Sequence, residues 1–198
     1  MEYQTVSKLD AATRQLHMAI RLYFQDDDPL GVHTLVGAAH KILEDLSRKR
    51  GLGSSLQGKG VGVQTGHHAS VMRAIKEAKA FLKHADRDPD AELTFHPDWT
   101  DFLMMDAIQM HLRLASTIDQ TDVIFLIWLS TKYPKVLLLD TTIFAPIAGG
   151  LRQLFSSRAG SEKKRLFFKA IAKSQILTKP ADAKRKHKAS GLKLVPKP

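Results

Sequence analysis

The chain has no cysteine, which excludes disulfides, thiolate zinc sites and cysteine nucleophiles. A cysteine-free chain fits a reducing compartment. It also has no asparagine and only two tryptophans. Its longest apolar run, Val123 to Leu129, is far short of the roughly 20 residues that a membrane-spanning helix needs. Met1-Glu2-Tyr3-Gln4 does not begin a charged-then-apolar leader. These absences lead to an expectation of a cytoplasmic protein with no membrane partner. The last 38 residues are nearly empty of acid: residues 161–198 hold 12 Lys and Arg against only Glu162 and Asp182. Residues 1–160 hold 18 of each sign, so the C-terminal stretch accounts for the whole net charge of +10.

The rest is ordinary globular composition, 43% hydrophobic and 25% charged over 198 residues. Apolar residues recur at three- and four-residue spacing, so the chain is predicted to be all-α. Ser7, with Asp10 three residues on, starts a first helix whose stripe is Leu9, Ala12, Leu16, Ala19, Ile20, Tyr23 and Phe24, with His17 on the other side. Asp28 and Pro29 start a second helix, which Arg48-Lys49-Arg50 and Gly51 end. A flexible glycine-rich loop is expected over 51–66, and a third helix from about His68 to Ala85. Leu93-Thr94-Phe95 reads as a short extended piece. Asp98 is expected to cap a fourth helix reaching Ser116. A fifth helix, 121–132, is apolar on all sides and is expected at the centre. A further helix between Asp140 and Ser157 and a basic one over 161–177 complete a six- to seven-helix bundle, domain 1–177, followed by a disordered basic C-terminal tail over 178–198.

Several side-chain groups suggest chemistry. His33, His40 and Glu44 share one row at the edge of the second helix's apolar face. His33 and His40 lie about 10 Å apart along the axis, too far to share an ion. His40 and Glu44 are one turn apart and make the only candidate metal pair; otherwise no metal or cofactor is implied. Arg73, Glu77 and His84 form a row opposite the third helix's stripe, followed by Asp86, Arg87 and Asp88. This His/Arg/Asp group is the catalytic candidate, with His84 as base and an Arg as anion ligand. His111 faces an apolar side beside Met104, and reads as a hydrogen-bonded core residue. The loop sequence Gly58-Lys59-Gly60 lacks the strand and the Lys-Ser/Thr that a phosphate cradle requires. Lys179, Lys184, Arg185, Lys186, Lys188 and Lys193 suit phosphate neutralisation without base reading.

Three stretches, Ala19-Ile20-Arg21-Leu22-Tyr23-Phe24, His33 to Leu43 and Phe81 to Pro89, together resemble a family of small proteobacterial helical proteins. The resemblance spans roughly residues 7–135, excludes the basic tail and implies a helical fold without an assigned activity. A second likeness is to HEPN-type helical ribonucleases, antiparallel bundles that commonly dimerise. That likeness would imply a hydrolase or nuclease, but their Arg and His are separated by four to six residues. Here ten residues lie between Arg73 and His84 and eight between Arg87 and His96, so only the architecture carries over. The adjacent His-Asp pair of HD phosphohydrolases does not occur. The leading expectation is a non-enzymatic binding or regulatory protein whose tail contacts nucleic acid or another polyanion. The alternatives are a hydrolase using the His/Arg/Asp group and a homodimeric assembly protein using the small-residue patch Gly37-Ala38-Ala39.

Overall fold

The computed structural model describes residues 3–52, 68–84, 86, 88–117, 119–133 and 160–173. Residues 53–66 of the glycine-rich stretch, the helix expected within 140–157 and the whole basic tail over 178–198 lie outside the described residues, as does Arg87. Six helices are described: α1 (Lys8–Gln25), α2 (Pro29–Lys49), α3 (His68–Phe81), α4 (Asp98–Ala115), α5 (Gln120–Lys132) and α6 (Gly160–Lys173). No strand occurs among the described residues, so Leu93-Thr94-Phe95 is irregular. No described helix is long and apolar enough to cross a membrane.

The helix ends follow local chemistry. Ser7 is extended, and its hydroxyl accepts the Asp10 N–H at 3.1 Å, satisfying one of the donors that a helix start leaves over. Asp28 does the same for Leu30 at 3.0 Å, with Pro29 in the first turn. α2 stops where Gly51 takes φ +68°, and the Gly51 and Leu52 N–H groups return to the Arg48 and Ser47 carbonyls. The Asp98 cap is not observed. Pro97 holds the capping position without a side-chain bond, and the Asp98 carboxylate instead accepts from Lys132 Nζ at 2.6 Å.

Among the described residues the bundle is centred on α1 and α4 rather than on α5. α4 packs against α1, α2, α3 and α5, whereas α5 packs against α1, α4 and α6. Buried Thr100, Asp101, Asp106 and His111 interrupt the apolar pattern of α4, which makes a central helix read as a less apolar one. Met104, Met105 and Met110 fill the core around them.

α6 is held by aromatic packing. Phe24 stacks on Phe167 at 5.8 Å and on Phe168 at 5.3 Å, and Trp128 meets Phe167 edge-on at 5.3 Å. Phe167 is fully buried, a contribution of about 1.5–3 kcal/mol from desolvation alone. The indole N–H of Trp128 donates to Tyr23 Oη at 3.0 Å. Lys164 covers the Tyr23 ring, its Nζ 4.1 Å from the centroid, and also reaches Asp26 at 3.4 Å.

Candidate functional site

Buried ionisable groups gather at three places between the helices. Where α2, α3 and α4 meet, His40 Nε2–H donates to Asp106 Oδ2 at 2.8 Å and Lys79 Nζ lies 3.4 Å from His40 Nδ1. Burial holds the Lys79 ammonium below the ordinary lysine range, against an opposing pull from Glu44. His33, one row further along α2, is buried with Nδ1 2.9 Å from Thr100 Oγ1 and its ring edge-on to Phe95. Burial, helped by the Lys79 charge, pushes its pKa down to about 4.

The second junction joins α1, α4 and α5. His111 Nδ1 lies 3.0 Å from Asp122 Oδ2, and His111 Nε2 lies 3.0 Å from Thr13 Oγ1. His17 Nε2 lies 3.2 Å from Asp122 Oδ1 and 3.9 Å from Asp119 Oδ1. Burial alone would raise the Asp122 carboxyl and lower His17. The contacts with His111 and His17 override it for Asp122, and those with Asp122 for His17, so the acid is held below and the imidazole above its usual range. Thr13, His111 and Asp122 have the spacing of a nucleophile, its base and an orienting carboxylate. The Thr13 hydroxyl, however, donates to the Leu9 carbonyl at 2.9 Å. Its oxygen therefore faces the ring as an acceptor and is not activated.

A third polar group closes the α4–α5 end. Lys132 Nζ sits 2.6 Å from both Asp98 and Asp101, and Tyr133 Oη donates to Asp101 at 2.9 Å. Burial opposes the Lys132 ammonium, but the two carboxylates outweigh it and raise its pKa. Burial and then the Asp101 charge raise both the Tyr23 and Tyr133 phenols.

The residues singled out from sequence are distributed differently. Arg73, Glu77, His84, Asp86 and Asp88 are all exposed. His84 approaches Asp86 at 3.8 Å in solvent, and among the described residues no hydrogen bond or ion pair joins this group to buried His40. Both His40 nitrogens are engaged, by Asp106 and Lys79, so neither is left open for the His40–Glu44 metal pair. The small-residue patch lies inside the chain: Ala39 is core, and a Cβ on Gly37 would touch the Lys79 stem at 3.4 Å. His111 is the buried, hydrogen-bonded residue its position indicates. His17 is not on the open side of α1, since only 14% of its side chain is exposed. Asp106, Asp122 and Asp101 do not stand out when the chain is scanned for histidine rows. Their signal is a lone carboxylate inside an apolar helix, which at full burial demands a partner.

The cationic face that the structure describes is on α6. Arg165 and Lys169, one turn apart, are exposed, while Phe167 points inward. Comparison with protein-family models, with curated proteins and with solved structures finds no match to this chain.

Proposed function

We propose that the protein is a helical binding protein that holds nucleic acid or another polyanion electrostatically through its basic C-terminal segment. The observation that carries this reading is the placement of α6. Phe167 anchors it to the aromatic core while Arg165 and Lys169 face solvent. The sequence then continues into Lys179, Lys184, Arg185, Lys186, Lys188 and Lys193. A neutral body tethering a cationic segment suits counterion-release binding, which needs charge density and no base-edge contacts. The enzymatic alternative is weaker, because its described candidates, Arg73, Glu77, His84, Asp86 and Asp88, lie on open surface.

The test is fluorescence anisotropy with labelled duplex DNA and with heparin as competitor, run across a salt series. The expected slope of log affinity against log salt is about −0.9 per phosphate neutralised, so six contacts would lose on the order of a thousandfold between about 50 and 200 mM. Truncation after Lys173 should abolish most of the binding and leave the circular dichroism of the bundle unchanged. Salt-independent binding, or full affinity in the truncated chain, would count against the reading.

A further inference from the structure

We propose that His17, His111 and Asp122 form a binding site for one divalent transition-metal ion of the zinc class, at the junction of α1, α4 and α5. Their ligand atoms lie within 4.8 Å of one another. Two imidazoles and a carboxylate are the ligand types that zinc, cobalt and nickel accept. An ion bound at about 2.0–2.1 Å in tetrahedral geometry sets its ligands about 3.3 Å apart. His111 Nδ1 lies 3.0 Å from Asp122 Oδ2 and His17 Nε2 lies 3.2 Å from Asp122 Oδ1, so each oxygen of the carboxylate sits near that distance from one imidazole.

The hydrogen-bond pattern around the site calls for a cation. The Thr13 hydroxyl proton is committed to Leu9, so Thr13 Oγ1 receives the Nε2–H of His111. His111 Nδ1 meets Asp122 Oδ2 at 3.0 Å, and an ion bound there would replace the proton that these two atoms share. On the other side of the same carboxylate, His17 Nε2 and Asp122 Oδ1 are both buried and without a hydrogen-bond partner, although only 3.2 Å separates them. Two ring nitrogens thus converge on one buried carboxylate. A single divalent ion between the three groups would take the place of the protons at both contacts. Thr13 then has the role expected of an outer-shell partner, fixing the tautomer of a liganding histidine.

The site also has an approach from solvent. Asp119 is about half exposed, and its Oδ1 lies 3.9 Å from His17 Nε2. That oxygen also caps α5 by accepting the Thr121 N–H at 2.7 Å, so the remaining coordination position falls to water at this edge. The inference uses residues remote from the C-terminal cations and does not depend on polyanion binding.

The full chain, stripped with chelator, would be titrated with Zn²⁺ by calorimetry and with Co²⁺ by visible absorption. The expected result is one equivalent per chain, a Co²⁺ ligand-field band of low-coordinate geometry and a Zn²⁺-dependent rise in thermal midpoint. His17→Gln, at the partly exposed edge, should weaken binding at least 100-fold, and Thr13→Val, which removes only the outer-shell acceptor, by about 10–100-fold. A His67→Gln/His68→Gln double variant removes the chain's adjacent histidine pair and should leave the affinity unchanged. If His17→Gln does not fold, Zn²⁺-induced shifts of the His17 and His111 ring signals in the wild-type NMR spectrum decide the question. Absence of stoichiometric binding, full affinity in folded His17→Gln, loss of affinity in the His67/His68 variant, or unmoved ring signals would each overturn the proposal.

Discussion

The stem of Lys79 crosses α2 over Gly37 and brings its ammonium to 3.4 Å from His40 Nδ1, while the opposite ring nitrogen of His40 is bonded to Asp106. Three helices therefore meet in one buried chain of charged and polar groups, with an imidazole between an ammonium and a carboxylate. Removing one end leaves the others buried without compensation, which typically costs 3–5 kcal/mol. Asp106→Ala should lose about that much in urea denaturation. A loss below about 1 kcal/mol would mean that His40 and Lys79 find water or another partner.

Gly37 is the soft point of the same crossing. A Cβ there meets the Lys79 stem at 3.4 Å, an ordinary van der Waals distance, and alanine gains about 1 kcal/mol over glycine in a helix interior. Gly37→Ala should therefore be neutral or stabilising by up to about 1 kcal/mol. Gly37→Leu should displace Lys79 and destabilise. Denaturation midpoints of the two variants moving in the same direction would contradict this packing.

His33 makes stability depend on acid. Its folded pKa of about 4 lies below the ordinary 6.5, so the unfolded chain takes up this proton first. Stability is unaffected by the group above about pH 6.5 and falls as pH drops from there toward 4. A gap of about 2.5 units corresponds to a loss of about 3 kcal/mol once both states are protonated. Unfolding free energy measured at pH 7, 5.5 and 4.5 should fall more steeply in the wild type than in His33→Gln; parallel curves would remove His33 as the cause.

Phe167 decides whether α6 stays docked. Phe167→Ala should cost about 3–5 kcal/mol locally. Hydrogen exchange should rise across residues 160–173, and Trp128 emission should shift red as its 5.3 Å partner is lost. Unchanged protection of α6 would show that Phe168 and Lys164 suffice to hold it.

The helix starts could be read from sequence because caps act locally: Ser7 and Asp28 bond N–H groups within three residues of themselves. The exposed row Arg73, Glu77 and His84 was equally readable, since its residues sit opposite the buried Ile75 and Ala78. His17, His33 and His40 were harder. Each lies at the border of an apolar stripe, and periodicity cannot say how far a neighbouring helix extends over that border. α1 is covered by α2, α4, α5 and α6, so its buried face is wider than its apolar stripe and takes in His17. The partners of these histidines, Asp122, Thr100 and Asp106, come from 66 to 105 residues further along the chain. No local pattern reports such a pairing, so the junction of His17, His111 and Asp122 emerges only in three dimensions.

Each polar side chain inside α4 answers to a different place. Thr100 meets His33 and Asp106 meets His40 on α2, Asp101 meets Lys132 on α5, and His111 meets Thr13 on α1. Sliding α4 by one turn, about 5.4 Å, would keep leucine and methionine in greasy surroundings but mismatch all of these bonds at once. An entirely aliphatic α4 would have several comparable resting offsets; this one is keyed to a single alignment.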